Sequence, residues 1–331
     1  MSDRNGAGQL RLAPFLFMPG SVTFLLVTIL ILLALVGWLL GTPRFSTLRA
    51  TADQNGSIVY QGRKRNFLLH IPEKVRGKKG APLVLVLHGG GGTPEAVARL
   101  TGFSKLADKE GFIVVYPEAV NRHWNDGRDV KRFLSHRENI DDVGFIARLI
   151  DTLIRQLGVD SSRVYAAGMS NGGMMCQRLG CELSLKLAAF ASVGASLPEN
   201  LIGQKPVMPI SVLMINGTAD PIVPFSGGGV GRHAKRGRVV SVPKAIEFWV
   251  KANGCDSPPR TVPLVESDTG LAVQKTVYQA GQSGAEVVLI TVEGGGHTWP
   301  GGKERPSHFG RLTDAVNATE IIGEFFLRHR R

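Results

Sequence analysis

From about residue 57 the chain alternates between two periods. Residues 58–60 and 67–71 read as two opening strands. Leu83–Leu87 (LVLVL) is a continuous apolar run, as expected of a strand buried on both faces. Thr93 and Pro94 then supply an N-cap and a first-turn proline for a helix running to about Asp108. Residues 112–115 predict the next buried strand. Asp141 and Asp142 cap a helix whose apolar residues Phe145, Ile146, Leu149, Ile150, Leu153 and Leu157 recur at helical spacing, ending at Gly158. Further strands are expected over 164–167, 188–193, 210–215 and 287–292. Helices are expected from about Asn171, over 243–253 and over 314–328. This alternation predicts an α/β protein: a mostly parallel, twisted sheet with helices on both faces.

The first forty residues follow no such alternation. Between Arg11 and Arg44 there is no charged residue, and 22–40 is almost wholly apolar with no polar face. About 19 such residues span a bilayer core as a helix. A cleavable signal peptide has a shorter apolar region followed closely by a small-x-small site, whereas Ala50-Thr51-Ala52 lies well downstream. We therefore expect a tail over 1–20, an uncleaved transmembrane signal anchor over 21–40, a linker over 41–54 and one catalytic-sized domain over 55–331. A cleaved signal peptide is the alternative. Arg4 and Arg11 against Arg44 and Arg49 leave the orientation open on charge alone.

The formal net charge of +12 raises the question of an anionic partner. Along the sequence the basic residues are scattered, from Arg63-Lys64-Arg65 through Lys78-Lys79 to Arg232, Lys235 and Arg236, without an interleaved aromatic stripe. No nucleic-acid partner is expected. The three cysteines, Cys176, Cys181 and Cys255, have no metal-ligand spacing, so neither a metal nor another cofactor is expected. In an exported domain Cys181 with Cys255 is the candidate disulfide; three free thiols are the alternative.

Gly168-Met169-Ser170-Asn171-Gly172 is a G-x-S-x-G sequence set between a predicted strand and a predicted helix. That is the setting of the nucleophile elbow of α/β-hydrolases, where glycines permit a tight turn and the serine stands out at the carboxyl end of the sheet. A serine hydroxyl needs an adjacent base, and the fold's chain order is Ser, then Asp or Glu, then His. Asp220 follows the strand 210–215 in Asn216-Gly217-Thr218-Ala219-Asp220-Pro221, and His297 follows the strand 287–292 in Glu293-Gly294-Gly295-Gly296-His297. His308 is the rival histidine. An oxyanion needs converging N–H donors; the N–H of Asn171 and one from the run Gly89-Gly90-Gly91-Gly92 are the candidates, with Gly90 first and Gly91 second. Trp124 and Trp299 either line the substrate cleft or pack beneath its loops. Residues 194–209, between two strands, are too short for a separate lid domain, and the glycine-rich, basic excursion 226–238 reads as a flexible rim.

Four motifs in order, Leu87-His88-Gly89-Gly90-Gly91-Gly92, Gly168-Met169-Ser170-Asn171-Gly172-Gly173, Asn216-Gly217-Thr218-Ala219-Asp220 and Gly295-Gly296-His297-Thr298-Trp299-Pro300-Gly301-Gly302, resemble the poly(3-hydroxybutyrate) depolymerase-like esterases, a group related to feruloyl and acetylxylan esterases. Trp124-Asn125 and Asp141-Asp142-Val143-Gly144-Phe145 are similar to family positions as well. The resemblance implies a serine esterase with Ser170, Asp220 and His297 as triad, Gly90 and Asn171 as oxyanion donors, and a substrate that is a carboxylic ester, polymeric or sugar-linked. Family members are mostly exported, which implies a domain outside the cytoplasmic membrane, on the periplasmic or extracellular face, tethered through 22–40 or released after cleavage. The N-terminal anchor departs from the family pattern, and no carbohydrate- or polymer-binding module is recognised. Two other functions share these features: a serine peptidase of the prolyl-oligopeptidase type, and a non-catalytic, membrane-tethered binding protein.

Overall fold

The computed structural model describes residues 53–255, 258–265, 271–279, 284–302 and 307–331. The expected tail, the apolar span 21–40 and all but the end of the linker lie outside the described residues. Among those described, no helix is long and apolar enough to cross a membrane.

Ten strands form one sheet. In chain order these are β1 (Gln54–Tyr60), β2 (Arg63–His70), β3 (Leu83–Leu87), β4 (Ile113–Pro117), β5 (Val164–Met169), β6 (Ala189–Val193), β7 (Ser211–Gly217), then β10 (Arg260–Val265), β11 (Val273–Tyr278) and β12 (Val287–Val292); the two-residue strands β8 (Gly228–Gly229) and β9 (Arg238–Val239) pair separately. The spatial order is β1-β2-β4-β3-β5-β6-β7-β12-β11-β10. The six strands from β4 to β12 run parallel, while β1, β2, β11 and β10 join antiparallel at the two edges.

The longer helices are α1 (Pro94–Thr101), α2 (Phe103–Glu110), α3 (Asp142–Leu157), α4 (Asn171–Glu182), α5 (Val242–Asn253) and α6 (Ala318–Leu327). Successive strand residues face opposite sides, and β3 shows the result. Leu83, Leu85 and Leu87 join the core formed with α3, α4 and α5, whereas Val84 and Val86 join the core formed with α1, α2 and α6. A strand covered on both faces has no polar positions to alternate, which is why LVLVL reads as it does.

Three expectations change in detail. The single helix expected to Asp108 is two, because Gly102 takes a left-handed conformation (φ 68°) and its N–H closes on the Ala98 carbonyl at 2.9 Å, ending α1. The last helix begins at Ala318, where Asn317 accepts from the N–H groups of Thr319 and Glu320. Strands β10 and β11 were not legible: β10 lies at the sheet edge, carries Pro263 and buries none of its side chains, so its sequence lacks a strand's apolar signature. Between β6 and β7 there is one helical turn, Glu199–Leu201, and no inserted lid.

The candidate disulfide is not formed. None of Cys176, Cys181 and Cys255 is bridged. Burial among apolar neighbours pushes the Cys181 thiol up to about 12, with the nearby Glu182 adding to the effect. Cys255 instead turns its Sγ toward the Ala285 carbonyl at 3.6 Å.

Candidate active site

Ser170 sits between β5 and α4 with φ 57° and ψ −123°, a backbone conformation rarely adopted by a residue with a side chain. Its N–H is held by the Val193 carbonyl at 2.9 Å. The flanking glycines are sterically required. A Cβ on Gly168 would come within 2.4 Å of the Gly172 carbonyl group, and one on Gly172 within 2.3 Å of the Leu87 oxygen. The turn therefore closes only because both positions lack side chains, and the closure leaves Ser170 half-buried at the floor of a cleft of about 580 Å³.

Asp220 and His297 come together although 77 residues separate them. His297 Nδ1 meets Asp220 Oδ2 at 2.7 Å, and both residues are buried. The other carboxylate oxygen, Oδ1, accepts the backbone N–H groups of Ile222 and Val223 at 2.7 and 2.8 Å, which fixes the carboxylate plane. The histidine loop is sewn in as well: the His297 N–H donates to the Phe309 carbonyl, and the Gly295 carbonyl accepts from the Ala219 N–H. His297 and Ser170 line the same cleft. They are not hydrogen-bonded to each other, a looseness common before substrate orders such groups.

Among the glycines after β3, backbone bonding separates the candidates. The Gly91 N–H donates to the Arg122 carbonyl at 2.8 Å and that of Gly92 to the Gly89 carbonyl at 2.9 Å. Gly90 lines the cleft, and its N–H is not engaged in this way. The first N–H of α4, on Asn171, lines the same cleft at a helix start, where intrahelical acceptors are lacking.

Further residues hold this framework, and among them Asp126 and Arg128 carried no signal in the sequence. His88 is buried, and its Nε2 accepts the Ala119 N–H at 3.1 Å while Nδ1 meets the Gly89 carbonyl at 2.8 Å. Burial lowers its pKa, so a neutral imidazole pins the glycine loop. Asn171 Oδ1 accepts the Trp124 N–H at 2.8 Å, and Nδ2 donates to the Trp124 carbonyl and to Asp126 Oδ2. Asp126 in turn forms a buried ion pair with Arg128 at 2.7 Å. Asp142, next to the α3 cap Asp141, pairs with Arg65 at 2.6 Å and accepts the Asn125 N–H at 2.8 Å. These buried carboxylates tie the 124–128 loop to the sheet.

Trp124 and Trp299 do not touch substrate space. Both are fully buried: Trp124 Nε1 donates to the His88 carbonyl, and Trp299 Nε1 to Thr319 Oγ1, each at 3.0 Å. They brace the two loops from beneath, so their candidacy as substrate contacts is withdrawn. His308 also lines the cleft, its ring tilted against that of Phe309 with centroids 4.3 Å apart, but the hydrogen bond to a buried carboxylate belongs to His297. No cluster of His, Cys, Asp and Glu that could hold a metal occurs among the described residues.

A family described as esterase PHB depolymerase matches residues 66–215. The chain is also 34% identical over 283 residues to the putative esterase NocK of Nocardia uniformis subsp. tsuyamanensis, covering 82% of this chain and 81% of that protein. The chain belongs to the PHB depolymerase-type esterase family. Feruloyl esterase B of Piromyces equi is 28% identical over 249 residues, covering 72% of this chain and 44% of the relative. Among solved structures, an acetyl xylan esterase from Aspergillus awamori superposes with a TM-score of 0.52 at 16% identity, over 74% of this chain and 94% of that one. At that identity the likeness speaks for the α/β-hydrolase fold alone. As a member of this esterase family, the protein is a carboxylic ester hydrolase.

Proposed function

We propose that this esterase works through an acyl-enzyme on Ser170. The reading is carried above all by the buried His297–Asp220 pair opening onto the same cleft as the strained Ser170 turn. His297 Nε2 removes the Ser170 proton as Oγ bonds to the ester carbonyl carbon. The resulting oxyanion is met by the N–H groups of Asn171 and Gly90. Collapse breaks the bond to the alcohol oxygen, which takes the proton from His297. Water, deprotonated by the same imidazole, then attacks the acyl group; the carboxylic acid leaves, and Ser170 Oγ recovers its proton. Asp220 holds the imidazole in the tautomer with Nδ1–H and stabilises its charged form.

The natural ester belongs to the polymeric or sugar-linked kind handled by the family: a 3-hydroxyacyl oligomer, or a feruloylated or acetylated sugar. The absence of an inserted lid between β6 and β7 supports an alcohol side open to solvent. The apolar run 22–40 supports tethering to a membrane with the esterase domain outside the cytoplasm. Burst kinetics on 4-nitrophenyl butyrate, followed by mass analysis of the trapped acyl adduct, test the mechanism. An adduct on any residue other than Ser170 removes it. Fractionation of the full chain tests the tether; a soluble chain beginning after Leu40 shows a cleaved signal instead.

A further inference from the structure

Folding gathers the scattered basic residues. Arg128 and Arg132, from the loop after β4, and Arg232, Lys235 and Arg236, from the loop after β7, line the cleft that holds Ser170. About a hundred residues of chain separate the two groups, so no stripe was visible in the sequence. Among the described residues no aspartate or glutamate lines this cleft. Arg128 is neutralised by Asp126, but the side chains of Arg132, Arg232, Lys235 and Arg236 form no ion pair with any described carboxylate. All four are exposed.

The rim is also built rather than loose. The Val230 N–H donates to the Gly237 carbonyl, the Arg236 N–H to the Val230 carbonyl, and the Gly231 N–H to the Ile222 carbonyl, two residues from Asp220. The hairpin β8–β9 closes the excursion. Arg128 Nη1 donates to the Arg236 carbonyl at 2.6 Å, joining the two basic loops. On the loop after β4 the His123 ring stacks on Phe133 at 4.1 Å, and the Arg132 guanidinium lies 5.4 Å from the centre of the same ring. The rim 226–238 is thus hydrogen-bonded within itself and, together with Arg132 from the loop after β4, gives the lining of the cleft that holds Ser170 four cations that form no ion pair among the described residues. Like charges held close repel one another, and a concave wall concentrates their field. The guanidinium fork matches a carboxylate or phosphate in shape and in donors.

We infer that the preferred substrate is an anionic ester, with a carboxylate or phosphate group a short distance from the scissile carbonyl, held by Arg132, Arg232, Lys235 and Arg236. This deepens the esterase reading and rests on it. A cationic wall also favours the oxyanion formed from any ester, so the informative quantity is a ratio between matched substrates. On the alcohol side the pair is 4-acetoxybenzoate against its methyl ester, with 4-acetoxyphenyl phosphate separating phosphate from carboxylate. On the acyl side it is mono-4-nitrophenyl adipate against 4-nitrophenyl hexanoate. Each kcat/KM is divided by the rate of alkaline hydrolysis of the same ester.

At low ionic strength one of the anionic esters is favoured over its neutral partner by about ten-fold or more, and added salt to about 0.5 M removes most of that preference. The combined variant Arg132→Gln, Arg232→Gln, Lys235→Gln, Arg236→Gln brings the ratio close to one. Neutral esters cleaved as well as anionic ones, with no dependence of the ratio on salt or on these substitutions, overturn the inference and leave the esterase intact. Calorimetric binding of 4-hydroxybenzoate and phenyl phosphate to Ser170→Ala separates the two readings. Salt-sensitive binding with no hydrolysis of any ester by the unaltered chain refutes the esterase mechanism and keeps the anion site. Binding to anionic phosphatidylglycerol vesicles that the substitutions abolish, with an unchanged ester ratio, assigns the rim to a lipid surface and overturns the inference.

Discussion

Asp126 Oδ2 accepts a hydrogen bond from Asn171 Nδ2 at 2.6 Å while the same carboxylate pairs with Arg128, all three side chains being buried. Asn171, whose N–H is proposed to meet the oxyanion, is therefore held through its side chain to a loop of the cleft wall. Removing the carboxylate leaves the Arg128 charge buried without a counter-charge. Asp126→Leu should cost about 3–5 kcal/mol of stability, read as a lowered midpoint in urea. Asn171→Ala keeps the backbone donor and should fold. It should lower kcat about ten- to a hundred-fold with little change in KM, because a donor out of place is missed mainly in the transition state. An unchanged kcat would show that this anchoring is dispensable.

Ser170→Ala and His297→Ala should each reduce kcat by several orders of magnitude while leaving the circular dichroism spectrum unchanged. The double variant should be scarcely worse than either alone, since the two act as a unit. Losses that multiply would mean independent roles and would remove the proposed pair.

Asp220→Asn keeps an oxygen for the Ile222 and Val223 N–H groups, so the turn should survive. The amide can present a donor toward His297 Nδ1 and select the wrong tautomer. We expect a loss of about four orders of magnitude in kcat with a near-normal melting temperature. Activity within ten-fold of the parent would point to another carboxylate.

Gly172→Ala should fail to accumulate as folded protein, because its Cβ would lie 2.3 Å from the Leu87 backbone oxygen, which has no side-chain rotation to relieve the clash. A soluble, active Gly172→Ala would mean that β3 and α4 separate more readily than this packing allows.

His70, at the end of β2, lies between Asp53 and Asp108, with contacts of 3.0 and 2.9 Å. Burial opposes its charge, but the hydrogen bonds to the two carboxylates outweigh this and hold its pKa above the ordinary 6.5. Its contribution to stability is then fully present below pH 6.5 and lost as pH rises through the raised value. Asp53, whose pKa is lowered chiefly by the hydrogen bond to His70, contributes above 3.8 and loses that contribution as pH falls through its lowered value. The melting-temperature gap between the parent and His70→Asn should therefore be widest at about pH 5 to 6 and narrow by about pH 9. A gap that widens with rising pH would contradict this assignment.

The parallel sheet, the starts of α1, α3 and α4, and Ser170, Asp220 and His297 as candidates could be read from sequence, because each rests on local physics. Leu83–Leu87 is apolar throughout since both its faces are covered. Asp141 caps α3 by accepting the Gly144 N–H three residues on. Gly168 and Gly172 are glycine because a tight turn leaves no room for a Cβ. Tertiary structure decided what depends on neighbours distant in the chain. It buried Trp124 and Trp299 beneath loops they had seemed able to line, and left Cys181 and Cys255 unbridged. It distinguished Gly90 from Gly91 through a bond to the Arg122 carbonyl, and enlisted Asp126, an ordinary residue in sequence, and His88 as anchors. It also brought Arg132 and Arg236 to one cleft. Side-chain charge carries no period along the chain, so only the meeting of two loops at the carboxyl end of the sheet could turn scattered cations into a site.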